Sequence, residues 1–338
     1  MTELRVALLG YGLAGRVIHR PLLVAEPRLR VTHVVTADPA RQAQAAADLP
    51  GVKVAPDADT LWTDVADFDV VVLATPNLTH VPLARTALTH GKPTVVDKPL
   101  ATSPRDAAAL DVFAHAAGVP LSVFHNRRWD SDTLAASGLL VDGTLGTVHR
   151  LESRFTRFRP QPGARWRDAP GGGVLLDLGS HLVDQALHLL GPAVEVYAQV
   201  RTTRPGAEVD DDCFLALTHA SGVHSQLWCS LSTPVPGPRL ALQGSLAGWS
   251  KTDLDGQEEA QRTGISVPEP PGHRYDEAGA VAVPSPPGAW GEFYRQFAAA
   301  VLDSGPVPVP AQDAVRVLEV LEAARASTRR GQVVRLAG

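Results

Sequence analysis

The stretch VVDKPLA, residues 95–101, carries Lys98 in a chain that uses lysine sparingly: of 31 lysines and arginines, only Lys53, Lys92, Lys98 and Lys251 are lysines. Arginine serves a salt bridge or a solvated face well, whereas lysine's compact ammonium can be tuned to give up its proton near neutrality. Asp177 and His181, four residues apart in GGGVLLDLGSHLVDQALHLLG, form a second group suited to proton work. On one helix their side chains share a face, with Cβ atoms roughly 5–6 Å apart, and could act on one substrate carbon. An ordinary solvated face accounts for the same run, with Asp177, His181, Asp184, Gln185 and His188 opposite Leu182, Ala186, Leu189 and Leu190. For His188 that plain reading is preferred, while the triple glycine upstream of Asp177 argues for close approach by another group.

FHNRRWDSD, residues 124–132, crowds His125, Asn126, Arg127, Arg128, Trp129 and Asp130 together, a donor and acceptor density that suits a hydroxyl-rich ligand. A network of salt bridges at a domain junction explains Arg128 and Asp130 equally well. In ARWRD, residues 164–168, Trp166 either packs or lies over a sugar or nicotinamide ring, with Arg167 beside it. Gly10, Gly12 and Gly15 fit G-x-G-x-x-G between a predicted strand and a predicted helix. There the backbone N–H groups, those of Leu13 and Ala14 included, face a pyrophosphate. A tight turn alone would also use these glycines, but the alternating strands that follow favour a dinucleotide. ATPNLTH, residues 74–80, ends a further strand, so Thr75, Pro76, Asn77 and His80 are expected on the nicotinamide side. One Asp and one His are too few metal ligands, no H-E-x-x-H occurs, and no metal is expected.

The elements that must position these residues change character along the chain. Apolar runs at 4–9, 31–37 and 68–76, then KPTVVDKP and PLSVFHN, alternate with helical segments at 16–25, 39–48, 80–90 and 103–117. This is the pattern of a parallel sheet covered on both faces. TVHRLESRFTRFR, VEVYAQVRTTR, CFLALTH and VHSQLWCSLST alternate polar and apolar residues instead, as a sheet with one covered face does. The expected fold is therefore α/β: a doubly wound Rossmann domain over residues 1–123, and an α+β domain with a large, mostly antiparallel open sheet over 124–338. The proline-rich stretch 266–288 reads as a loop. AQDAVRVLEVLEAARAST, with Val315, Leu318, Leu321 and Ala324 on one stripe, reads as a core-packing closing helix.

Length suits two domains, each with its own core, and a formal net charge of -5 gives no broad footprint for nucleic acid or an acidic membrane. No apolar run reaches the length of a membrane span, and MTELRVALLGYG enters a strand without a leader. The expected setting is cytoplasmic. Cys213 and Cys229 make neither a disulfide framework nor a zinc site and read as buried thiols.

Together, GYGLAGRVIHRPLL, ATPNLTHVPLARTALTHGKPTVVDKPLA, SVFHNRRWD and DLGSHLVDQALHLLG resemble the Gfo/Idh/MocA family of NAD(P)-dependent sugar and polyol dehydrogenases over nearly the whole chain. Residues 237–264 and the HNRRWD box look most like its NADP-dependent scyllo-inositol dehydrogenase branch. The family's E-K-P lysine falls on Lys98, with Asp97 for the usual Glu, and its downstream acid and histidine fall on Asp177 and His181. The resemblance implies that His181 takes a hydroxyl proton as hydride leaves for nicotinamide, Lys98 stabilises the developing alkoxide, and Asp177 orients the imidazole or substrate. Family members differ on whether lysine or histidine is the base. His125, Arg127 and Trp129 would join them in holding a polyol.

Matching DPAR to the family's NPER puts Thr36 where an NAD-type acid would stand, with Arg41 and Arg16 offered to a 2′-phosphate, so NADP is expected over NAD. Asp38 is the rival ribose acid, or a cap for the helix that follows. Competing readings are another sugar or keto-sugar used with NAD, and a non-catalytic dinucleotide-sensing regulator. A homodimer or homotetramer is expected from the open sheet face.

Overall fold

Near-continuous aliphatic runs form β1 (Leu4–Leu9), β2 (Leu29–Val35), β3 (Lys53–Ala55), β4 (Val70–Leu73), β5 (Thr94–Asp97) and β6 (Leu121–Phe124). They make one parallel sheet in the order β3-β2-β1-β4-β5-β6 in the computed structural model, which describes residues 3–163, 168 and 171–336. This is the doubly wound order, with the chain reversing its direction of travel between β1 and β4. All four residues of β4 are buried, as a strand covered on both faces requires.

The intervening helices are α1 (Arg20–Ala25), reached through a π-helical turn Ala14–His19, then α2 (Pro39–Asp48), α3 (Ala58–Trp62), α4 (His80–Thr89) and α5 (Pro104–Ala117). Their starts follow capping chemistry. The Asp38 carboxylate accepts from the N–H groups of Ala40 and Arg41 ahead of α2, and Ser103 accepts from Asp106 ahead of α5, each followed by a proline at the first helical position. β3 and α3 are additions to the expected pattern, because each is too short to carry a readable period.

The second sheet has nine strands in the order β14-β13-β12-β11-β7-β10-β9-β8-β15. In chain order its neighbourhood runs α6 (Ser131–Asp142), β7 (Val148–Thr156), α7 (Ser180–Leu190), β8 (Ala193–Arg201), β9 (Asp212–His219), β10 (His224–Ser230), β11 (Leu240–Gly244) and β12 (Gly248–Lys251). Only the β7–β10 pair is parallel. Along β9 the residues alternate between buried and half-buried, the one-sided pattern read from the sequence. Cys213 and Cys229 stand opposite one another on β9 and β10, buried and free.

The stretch 266–288 differs from the loop expected there, since it holds a hairpin of β13 (Gly272–Asp276) and β14 (Gly279–Val283). Its prolines, Pro268, Pro270 and Pro271 on one side and Pro284, Pro286 and Pro287 on the other, flank the strands and leave the ladder's N–H groups intact.

The chain clusters into two units, Met1–Asn126 with Gln257–Ser266 and Ala289–Val315, and Arg127–Gly256 with Val267–Gly288 and Arg316–Gly338. The first unit thus gains α8 (Gln257–Thr263) and α9 (Gly291–Leu302), and in its core Phe124 meets Phe293 edge-on at 4.8 Å. α10 (Ala311–Arg330) buries Val315, Leu318, Leu321 and Ala324, the stripe read from its sequence, and β15 (Val334–Arg335) ends the second sheet. Among the described residues no helix is long and apolar enough to cross a membrane.

Candidate functional site

In the first unit the candidate residues follow the carboxyl ends of parallel strands. Gly10 succeeds β1, Thr36 succeeds β2, Ala74 and Thr75 succeed β4, Lys98 succeeds β5 and His125 succeeds β6. That edge is where ligands of open α/β sheets bind.

The glycine turn passes a steric test for a dinucleotide. A Cβ on Gly10, which has φ +95°, would stand 2.2 Å from the Ala74 carbonyl oxygen, and one on Gly15 would stand 1.9 Å from the Gly10 carbonyl oxygen. These two glycines let the turn close on itself and on β4. Gly12 is different: the nearest atom to its missing Cβ is Arg41 Nη1, at 3.7 Å, so its backbone is open to a phosphate group. Leu13 is exposed and Ala14 half-buried beside it. Past β4, Pro76 is exposed and Thr75 half-buried. Asn77 is buried with its side-chain Nδ2 lacking a hydrogen-bond partner, a donor suited to a carboxamide or ribose oxygen.

The residues considered for the ribose have partners of their own, and Arg41 Nε lies 3.5 Å from Asp38 Oδ2. Asp38 caps α2, its Oδ1 accepting from Ala40 N–H at 2.9 Å and Arg41 N–H at 3.2 Å. Arg16 is committed to Asp48, whose Oδ2 it meets at 2.8 Å and which the Tyr11 hydroxyl also contacts at 3.0 Å. Burial raises the Asp48 carboxyl, but Arg16, Tyr11 and Gln44 outweigh it and hold it below the usual carboxylate range. Arg41 is exposed, and Thr36 is buried with its carbonyl oxygen accepting from the Gln42 side chain at 2.8 Å.

Lys98 is half-buried, with its N–H donating to Asp97 Oδ1 at 2.9 Å and a cis peptide to Pro99. Lys53 meets Asp67 at 2.6 Å, Lys92 donates to the Phe68 carbonyl at 2.7 Å, and Lys251 lies buried against Ser131 and Glu269. Lys53 also contacts both carboxylates of the one group of potential metal ligands among the described residues, His33, Asp64 and Asp67. His80, expected beside the nicotinamide, is buried, with Nδ1 2.8 Å from the Pro99 carbonyl oxygen and Nε2 2.8 Å from the Thr75 carbonyl oxygen. Its ring ties two chain segments together.

In the second unit, Asp177 lies in a π-helical turn, Leu175–Gly179, and His181 in the α-helix that continues it. The extra residue in that turn changes the angular phase assumed for an i,i+4 pair, although both residues stand on one continuous helical run. Asp177 is half-buried and His181 is 8% exposed. The triple glycine upstream does mark a close approach, and the group is Asp210: a Cβ on Gly173 would meet its Oδ1 at 2.3 Å, and its Oδ2 accepts from Leu175 N–H at 2.6 Å. His188 is exposed, but Asp184 and Gln185 are buried, so the polar stripe is not a solvated face.

The HNRRWD box straddles the two units, with His125 and Asn126 in the first and the rest in the second. His125 is buried and Trp129 half-buried. Arg127 meets Asp130 at 2.9 Å, and Arg128 meets Asp184 through both Nε, at 3.0 Å, and Nη2, at 2.6 Å. Gln185 donates to the Arg127 carbonyl and to Thr133, and accepts from Arg239. The arginines of the box thus carry an ion-pair network. Trp166 and Arg167 lie outside the described residues.

Two residues that sequence reasoning passed over lie on the Asp97 side of the lysine. His19 is fully buried, with Nδ1 2.6 Å from the Tyr294 hydroxyl and Nε2 3.9 Å from Asp97 Oδ1. His19 was visible only as a histidine in the helix after the glycine turn, and Tyr294 lies almost 200 residues further along than Asp97.

A model of an oxidoreductase family with an NAD-binding Rossmann fold matches residues 4–125, and one of the GFO/IDH/MocA C-terminal domain matches residues 133–249. The chain is 36% identical to "Uncharacterized oxidoreductase YdgJ" of Escherichia coli (strain K12), over 95% of each chain. It is 32% identical to scyllo-inositol 2-dehydrogenase (NADP(+)) IolW of Bacillus subtilis (strain 168), over 98% of this chain and 96% of that one. The solved structure of yvaA from Bacillus subtilis matches with a TM-score of 0.93 at 31% identity, covering 99% of both chains.

Proposed function

Because the chain belongs to the GFO/IDH/MocA family of NAD(P)-dependent oxidoreductases, we propose that it moves a hydride between a cyclic polyol, an inositol such as scyllo-inositol, and NADP. The observation that carries this reading is the row of candidate residues along the carboxyl edge of the parallel sheet, with the open Gly12 turn, the buried Asn77 donor and Lys98 on successive strand ends. The likeness to the NADP-dependent enzyme of Bacillus subtilis supports the choice of substrate class and cofactor.

A nicotinamide cofactor held at the glycine turn supplies the two-electron acceptor for such a carbinol. His181 takes the hydroxyl proton, the Lys98 ammonium donates to the oxygen as charge develops there, and Asp177 orients the imidazole or a substrate hydroxyl. His125, Arg127 and Trp129 contribute to holding the polyol, and Arg41 holds the 2′-phosphate. The protein works as a homodimer or homotetramer in the cytoplasm. A panel of inositols and aldoses assayed with both cofactors tests the proposal: turnover confined to the aldoses, or to NAD, would replace its substrate or its cofactor.

A further inference from the structure

We propose that His19 and His80 are positioning residues that brace Lys98 from its two sides, His19 through Asp97 and His80 through the carbonyl oxygen of Pro99. The proposal rests on the role given to Lys98 above. All the groups involved belong to the first unit.

On the N-terminal side, the buried Tyr294 hydroxyl meets His19 Nδ1 at 2.6 Å. Burial, and then the charge of Asp97, push the Tyr294 phenol well above its ordinary pKa, so the hydroxyl keeps its proton. The other ring nitrogen, Nε2, faces Asp97 Oδ1 at 3.9 Å, longer than a hydrogen bond. The same Oδ1 accepts the Lys98 N–H at 2.9 Å. Burial raises the Asp97 carboxyl, but His19, followed by the charges of Lys98 and His80, outweighs that effect and keeps it ionised. Phe124, 4.3 Å from the His19 ring centroid, and Tyr294 leave the imidazole little room to turn.

On the C-terminal side, His80 contacts two backbone carbonyl oxygens, Pro99 O and Thr75 O, each at 2.8 Å. Both oxygens are acceptors that a ring N–H can meet, and the buried ring lies in contact with the two of them. The ring therefore fixes the segment after Lys98 to the turn that bears Thr75 and Asn77. Bracing both flanking residues fixes the backbone from which the Lys98 side chain starts, and with it the positions its ammonium can reach.

A double-mutant cycle on the full chain tests this. His19→Phe and His80→Leu should each lower kcat roughly 10- to 100-fold, the scale of a misplaced catalytic group. For His19→Phe, which touches no residue of the cofactor turn, substrate KM and the NADPH dissociation constant, the latter read by fluorescence without turnover, should stay within about threefold, whereas His80→Leu should also weaken NADPH binding through the Thr75 turn. Placed in a Lys98→Met background, the same substitutions should change the residual kcat by less than about twofold, because there is no ammonium left to position. His19→Gln and His80→Gln, which keep an amide donor, should recover most of the lost rate, and they carry the cycle if the apolar variants do not fold. Equal fractional losses with and without Lys98, or Gln variants no better than the apolar ones, would overturn the positioning role alone. A Lys98→Met protein with wild-type turnover would overturn both this role and the one assigned to Lys98.

Discussion

Arg41 stands over Gly12, its Nη1 3.7 Å from the place a Cβ on that glycine would occupy, while its backbone N–H is held by the Asp38 cap of α2. A guanidinium beside the open residue of a phosphate turn, exposed and 3.5 Å from Asp38 Oδ2 while Arg16 is paired to Asp48 at 2.8 Å, makes Arg41 the cation to test for the 2′-phosphate.

Arg41→Ala should accordingly cost NADP far more than NAD. A charge-assisted contact contributes about 1.5–3 kcal/mol, so kcat/KM for NADP should fall roughly 10- to 100-fold while that for NAD changes little. The check is kcat/KM for both cofactors in the two proteins. A wild type that prefers NAD contradicts the reading of Thr36 and Arg41.

Lys98→Ala should lower kcat by about 10²-fold or more, with cofactor binding nearly intact, because the ammonium's interaction strengthens only as oxyanion charge appears. His181→Asn should also cripple turnover and remove a limb from the pH profile of kcat/KM. An unchanged profile moves the base elsewhere, and Lys98→Ala activity within about threefold of wild type dismisses the oxyanion role.

Inositols should be turned over far better than simple 2-hydroxy acids, since several hydroxyls need a dense set of directional partners. Initial rates with scyllo-inositol, myo-inositol, lactate and malate decide the matter. Faster turnover of either acid than of every polyol would discard the substrate class.

Acid sensitivity should trace in part to Asp211. It is fully buried and accepts from the N–H groups of Thr203, at 2.7 Å, and Arg204, at 3.0 Å, and from Arg204 Nε at 2.9 Å. Burial raises its pKa, but these donors outweigh the effect and leave it depressed. The unfolded chain therefore takes up this proton at higher pH than the folded one. The stabilisation is fully present above the unfolded value near 4 and is lost as pH falls through the folded value. Asp211→Asn should lose about 2 kcal/mol at pH 7 and show a shallower acid limb in urea unfolding. A wild-type slope below about pH 4 in that variant would assign the limb to other carboxylates.

The sheet face opposite the second unit's core should be covered by another copy of the chain. There Phe214 and Trp228 meet at 5.2 Å, the Arg154 guanidinium lies 4.1 Å from the Trp228 ring centroid, and a cavity of about 320 Å³ opens beside them. Light scattering at micromolar concentration should give a dimer or tetramer, and Trp228→Glu should shift it toward monomer. A monomeric wild type rules the assembly out.

Much of the fold was legible in the sequence because its signals are local. The run VVVL is buried on both faces and alternation along CFLALTH is not, so the parallel sheet and the one-sided sheet announced themselves by period. The glycine turn was readable for the same reason, since a tight turn and a bare backbone both demand glycine at fixed spacing. What local pattern cannot carry is the partner of a polar side chain. Asp184 and Gln185 looked like a solvated stripe until Arg128, Arg239 and Thr133 were brought against them. The triple glycine signalled a close approach without naming Asp210, and His80 pointed to the cofactor edge without showing that two carbonyl oxygens occupy its ring. Tyr294 met His19 only through tertiary structure, because α9 returns to the first unit from the far end of the chain and no periodicity links residues so distant in sequence. Residue types and strand ends were therefore set by sequence, whereas which charges are paired, and which histidines meet Asp97 and Pro99 on either side of Lys98, were decided by packing.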